Sequence, residues 1–145
     1  MKHWIGVASR DHVQRGVAGG FAQLGHGKRN GLARLGIGDW IAYYSPRTQL
    51  EGGDPVQAFT AIGRVTGEVF QVSLEGFCPF RRDVAFVAHA KDASIKPLIA
   101  KLSFIKDPQR WGYPLMRGQL EVSAADTQLI ASAMGVQLSL NPTPI

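Results

Sequence analysis

The chain reads as an α+β fold built on a strongly curved or barrel-like sheet, and three observations carry that reading. Five or six short runs have strand character, three short stretches repeat apolar residues at helical spacing, and glycine marks most of the changes between them. With 145 residues, 45% of them apolar, the chain matches one domain large enough to bury its own core. That domain is expected to span 1–145, with 136–145 as a C-terminal tail.

Each element has a local cause. His3 to Ala8 forms the first strand, and Ser9 or Asp11 caps a helix over Asp11 to Val17 in which Val13 and Val17 share a face. Gly19-Gly20 ends it. Phe21 to Asn30 reads as a loop, and Gly31 to Leu35 as a brief helical turn stopped by Gly36 and Gly38. Asp39 to Ser45 is the second strand. After the polar connection Arg47 to Pro55, Gln57 to Gly67 and Glu68 to Leu74 read as two strands paired around Gly67, and Arg82 to His89 as a fifth. Ser94 caps a helix whose Ile95, Leu98, Ile99 and Leu102 keep i, i+3, i+4, i+7 spacing, with Pro97 tolerated in its first turn. Arg117 to Val122 is strand-like, and Ser123-Ala124-Ala125-Asp126 matches a capping box opening a helix through Met134, closed by Gly135. Asn141 to Ile145, with two prolines, is expected to fray.

The balance of 16 Lys plus Arg against 11 Asp plus Glu gives a formal charge of +5, which suits an anionic partner such as nucleic acid and equally serves solubility. Cys78 is the single cysteine, so no intrachain disulfide forms and a reducing, cytoplasmic location fits. Ser9, Arg10, Asp11, His12, Gln14 and Arg15 interrupt the N-terminal region, leaving no run suited to a signal peptide or membrane span. A monomer is the default expectation.

Enzyme signatures are thin. The phosphate-loop, His-Glu-x-x-His, Cys-x-x-Cys and Gly-x-Ser-x-Gly motifs are all missing, so metal hydrolysis and serine chemistry have no anchor. His3, His12, His26 and His89 are scattered, Cys78 sits between Phe77 and Pro79 like an inert packing thiol, and adjacent Asp11 and His12 point apart on a helix. No metal or other cofactor is implied.

Aromatic and cationic residues say more. In Gly38-Asp39-Trp40-Ile41-Ala42-Tyr43-Tyr44-Ser45-Pro46, Trp40, Ala42 and Tyr44 face one way and Ile41, Tyr43 and Ser45 the other. One face is expected to build core and the other to present an aromatic surface at the strand end. His26-Gly27-Lys28-Arg29 can follow a phosphate backbone or simply stay solvated. Arg81 and Arg82 point to opposite faces, so that one reaches a ligand while the other forms an internal ion pair. Trp111 beside Gly112 and Tyr113, near Arg117, is either a packing plug or the wall of a base slot.

These segments carry a resemblance. Trp4-Ile5, Ser9-Arg10-Asp11-His12-Val13, His26-Gly27-Lys28, Gly38-Asp39-Trp40 through Pro46, Phe59-Thr60-Ala61-Ile62-Gly63, Pro79-Phe80-Arg81-Arg82-Asp83-Val84, Pro97-Leu98-Ile99 and Trp111-Gly112, in that order, resemble the EVE domain family from about Trp4 to Met134. The resemblance implies a PUA-like mixed pseudobarrel of five to six strands flanked by short helices. Through the YTH and PUA relatives of EVE domains it also implies a module that reads a modified base in DNA or RNA, holding it in an aromatic and polar pocket. Tyr44 and Trp111 would then stack on or enclose the base, and Ser9 and Ser45 would bond its edge. His26 and Lys28 would lie in the pocket loop, and Lys28, Arg81, Arg82 and Arg117 would contact phosphates or line the rim. The chain departs from the family pattern at Met116, where a phenylalanine is expected, and at Arg29-Asn30-Gly31. Two alternatives stand beside this reading. One is a non-selective RNA-binding accessory protein; the other is a nucleoside-type hydrolase using Lys28, His26, Asp39 and Ser9.

Overall fold

The computed structural model describes residues 1–138 of the chain. Its strands are β1 (His3–Val7), β2 (Phe21–Ala22), β3 (Trp40–Arg47), β4 (Pro55–Gln71), β5 (Phe80–Phe86), β6 (Ala93–Ser94) and β7 (Gln119–Val122). The helices are α1 (Arg10–Gly19), α2 (Arg29–Ala33) and α3 (Ala124–Ala133), with short 3-10 turns between them. One mixed sheet runs in the order β2-β5-β4-β3-β1-β7, with β6 pairing β4. β1 and β3 are parallel, Val7 lying opposite Tyr44, and the remaining pairs are antiparallel.

Strand alternation divides the core in two. Trp40, Ala42 and Tyr44 join Ile5, Phe59 and Ile62 in one cluster, closed by Ile95 and Leu98 and by Ile130 and Met134 at the end of α3. Ile41 and Tyr43 join Trp4, Ala61 and Val65 in the second, covered by Val13 of α1 and Leu32 of α2. Both faces of β3 are therefore core, and the expected aromatic surface does not exist. The central position of β3, between β1 and β4, requires this: each face is roofed by its own layer.

The caps follow the sequence. The Ser9 hydroxyl accepts from the His12 amide at 3.4 Å, and the Ser123 hydroxyl accepts from the Asp126 amide at 3.0 Å. The Asp126 carboxylate accepts instead from the amide and hydroxyl of Ser103 at 2.8 and 2.6 Å. Of the helix expected after Ser94, only Lys96–Leu98 is helical, as a 3-10 turn; hydrogen-bonded turns carry the chain on to Leu102, and Ile95, Leu98 and Leu102 are buried as their spacing required. On α1, Val13 and Gly16 are buried and Val17 is exposed.

Three strand expectations change. The hairpin expected at Gly67 is instead one 17-residue strand, β4, whose pairing with β5 shifts register between Val65 and Val69. Gly67 sits at that irregularity, where an added Cβ would lie 3.1 Å from Asp83 Cβ, so it accommodates a bulge rather than a reversal. The reversal comes later, at Gly76 with φ of 72°, inside the Leu74–Phe77 bridge. β2 and β6, two residues each, raise the strand number to seven among the described residues. Finally, Val136, assigned to the tail, is buried in the core and Leu138 packs on it; the Asn141 to Ile145 segment lies outside the described residues.

Candidate functional site

The C-terminal end of β1 opens onto a cleft of about 620 Å³. Its floor is Val7, Ala8 and Ser9; His12 and Arg15 come from α1, Gln23 to His26 from the following loop, and Met116 to Gln119 from the far wall. Ser9, His12 and Arg15 recur every third residue, so the capping residue and two side chains share one helix face. A smaller cleft of about 380 Å³ shares His12, Arg15, Gln23 and Phe77 with the first and adds Arg81.

Gln23 organises the junction. Its carbonyl lies 2.9 Å from His12 Nε2, and the Tyr43 hydroxyl accepts from its amide and donates to its carbonyl, both at 3.3 Å. Its side-chain oxygen accepts from Arg81 Nε at 3.1 Å, while the Arg81 guanidinium lies 3.9 Å from the centre of the Phe21 ring. Three side chains from three elements thus fix one loop residue at the mouth. The loop then passes through Gly25, His26 and Gly27, all left-handed, with φ of 56°, 60° and 84°. Gly27 is required there: a Cβ would stand 2.7 Å from Pro79 Cβ and 2.9 Å from Phe77 Cζ.

Chemically, the two clefts are cationic. Their lining holds Arg15, Arg81 and Arg117, the imidazoles of His12 and His26, the amides of Gln23 and Gln119, and apolar walls from Leu24, Leu50, Phe77 and Met116, with no carboxylate among the described residues. Burial pushes the His12 imidazole below its ordinary range; the Gln23 carbonyl opposes this, and Arg15, Arg81 and His26 reinforce it. At neutral pH His12 is accordingly a neutral ring. Such a site attracts an anion, grips a flat partly apolar group, and supplies hydrogen bonds to its edge.

The expected site residues divide. Ser9, His26 and Arg117 line the main cleft and Arg81 the adjoining one. Lys28 is exposed beyond the loop, outside the lining of both. Tyr44 is a correction: only 3% exposed, its ring meets Phe59 and Trp111 edge-on in the core, and burial raises its hydroxyl pKa to about 12. No face of it is free to stack on a base. Ser45 is fully buried, its hydroxyl 2.7 Å from that of Thr60. Arg82 is buried too, donating to the carbonyls of Gly67, Leu32 and Leu35 at 2.7, 3.1 and 2.6 Å, so it is a structural tie rather than a phosphate contact. Trp111 packs between Tyr44 and Lys96, whose ammonium lies 4.8 Å from the ring centre, and lines neither cleft.

The four groups considered for a hydrolase are not assembled. The Asp39 carboxylate accepts from the amides of Lys2 and Gly36 and from Trp4 Nε1, at the opposite end of the parallel β1–β3 pair from Ser9. Residues passed over in the sequence, Arg15, Gln23 and Gln119, prove central to the cleft. The signal that could have found Arg15 was its third-residue spacing from Ser9 and His12.

Comparison with known proteins bears on the family and the fold. The EVE domain family profile matches residues 2–133. A UPF0310 protein of Mycolicibacterium gilvum is 47% identical over 140 residues, covering 95% of this chain and 99% of its own. Two solved structures share the fold. Protein Atu2648 of Agrobacterium tumefaciens has a TM-score of 0.56 at 15% identity, covering 94% of each chain. Rpa0253 of Rhodopseudomonas palustris has a TM-score of 0.57 at 16% identity, covering 99% of this chain and 100% of its own. Among the described residues no helix is long and apolar enough to cross a membrane.

Proposed function

Because the chain belongs to the EVE domain family and has its PUA-like fold, we propose that it binds DNA or RNA by taking one unstacked, modified base into the cleft at the end of β1. The observation that carries this reading is the lining itself: three guanidinium groups and two imidazoles around apolar walls, without a carboxylate among the described residues. A base alone needs no such charge, and a phosphate alone needs no such walls. The volume falls within the range of ordinary ligand pockets, roughly 300–1,000 Å³. In this scheme Leu24, Phe77 and Met116 enclose the ring, Ser9 and Gln119 address its edge, and Arg15, Arg81 and Arg117 hold the adjoining phosphates. A methyl group on the base adds apolar area against Met116 and Leu24, a gain of about 0.8 kcal/mol per buried carbon.

Fluorescence anisotropy with 12-nucleotide strands, each carrying one base methylated at a ring or exocyclic position, tests the proposal against unmodified strands of the same sequence. At least one modified strand binds several-fold more tightly, and Arg15→Ala weakens binding of all. Equal affinity across the panel, with steep salt dependence, would leave the non-selective RNA-binding alternative in its place.

A further inference from the structure

A third concavity, of about 690 Å³, adjoins the cleft and shares Arg117 and Gln119 with it. Lys106 and Arg110 stand on its wall with Arg34, whose guanidinium lies 5.1 Å from the Trp4 ring centre. Four cations face two acids, Asp107 and Glu121, and the Asp107 carboxylate already accepts from the Gln109 amide at 3.0 Å. Tyr113, 72% exposed, also lines this groove.

The wall is stiff. Hydrogen bonds from the Arg110, Leu115 and Gly118 amides to the carbonyls of Asp107, Gly112 and Leu115, at 3.0, 3.1 and 3.1 Å, tie consecutive turns together, and buried Leu115 anchors them in the core. A solvent-facing aromatic ring on a tied backbone turn, among four cations that outnumber two acids, matches what a nucleic-acid strand with unstacked bases requires.

We propose that this groove is the track for the single-stranded segment flanking the inserted base: Lys106, Arg110 and Arg117 follow its phosphates, and Tyr113 stacks on one neighbouring base. The inference rests on the proposed role of the cleft, and Arg117 is where the two sites meet. A duplex keeps its bases stacked on one another and cannot use Tyr113 in this way.

The test is anisotropy of fluorescein-labelled (dT)12, a plain strand, as a function of salt, with the whole chain and surface variants. Lys106→Ala/Arg110→Ala is expected to weaken binding at least tenfold at 0.1 M salt and to reduce the slope of log K against log salt by about 1.4, the value for two phosphates of a single strand. Tyr113→Ala is expected to weaken it about five- to hundredfold with the slope unchanged. Affinity within twofold of wild type in all variants, no binding of (dT)12 by the wild type, or a 12-base-pair duplex bound as tightly and equally impaired would each overturn the track. Discrimination between methylated and plain strands reads the cleft separately. Its loss with an intact (dT)12 result rejects base reading alone, and its persistence with insensitive groove variants rejects the track alone.

Discussion

Arg81 and Arg82 are neighbours in sequence, and replacing each by alanine should produce opposite phenotypes. The Arg82 guanidinium donates to three backbone carbonyls, binding the bulge at Gly67 in β4 to the end of α2. Hydrogen bonds to a charged group contribute about 1.5–3 kcal/mol each, while burying the guanidinium costs several kcal/mol. Its ion pair with Glu68, at 3.6 Å, adds little because Glu68 is 83% exposed. Arg82→Ala therefore costs about 3–5 kcal/mol, which for a chain of this length lowers Tm by roughly 6–20 °C. Urea denaturation followed by circular dichroism measures it; Arg82→Lys, whose single ammonium cannot reach all three carbonyls with a fork's geometry, should lose an intermediate amount. Arg81→Ala, by contrast, should lose less than about 1 kcal/mol of stability and weaken nucleic-acid binding. Arg82→Ala within 1 kcal/mol of wild type, with binding lost, would refute the reasoning.

Three further outcomes are expected. Tyr44→Phe should bind nucleic acid as the wild type does, since its ring is core, whereas Tyr44→Ala should lose about 3–5 kcal/mol in the same denaturation assay. Gly27→Ala places a Cβ against Pro79 and Phe77 at φ of 84°, costing about 1–3 kcal/mol and displacing His26, so binding weakens at temperatures where the fold persists. Stability should fall with acid: His3 and His12 are held, first by burial, below their ordinary value of 6.5, so the unfolded chain takes up their protons first and the denaturation midpoint drops progressively below about pH 6.5. A second loss follows when Asp39 protonates below 3.8: burial alone would raise its pKa, but hydrogen bonds from Lys2, Gly36 and Trp4 outweigh it. His12→Gln should shrink the first phase to the part due to His3 and leave the second unchanged.

The parts of the fold that were legible in sequence are those whose causes are local. Ser9 and Ser123 announce their helices because a cap acts within three residues, and alternation divides the β3 side chains between two faces, though only the layers packed on the sheet make both faces core. β2 and β6 were not legible, since a two-residue strand exists only through its distant partner. Gly67 misled for a related reason: glycine marks a turn or a bulge alike, and only the pairing of Val65 and Val69 with Val84 and Arg82 of β5, on either side of it, decides.

Parity explains the site. Alternation required that one of Arg81 and Arg82 point inward, without saying which; the carbonyls left by α2 and the β4 bulge select Arg82. In the same way Tyr43, not Tyr44, serves the cleft, from beneath, through Gln23. Arg15 was visible as a third-residue repeat, while Gln23 and Gln119 have no sequence signal because long-range contacts give them their roles.

The central claim is that nucleic acid enters at the end of β1. Amide chemical-shift mapping of the isotope-labelled protein, titrated with the preferred 12-nucleotide strand, tests it most directly. Perturbations should concentrate at residues 7–12, 23–26 and 116–119, with those of Ser45 and Thr60 small. Shifts centred on residues 39–45, or spread evenly over the surface cations with 7–12 unmoved, would contradict it.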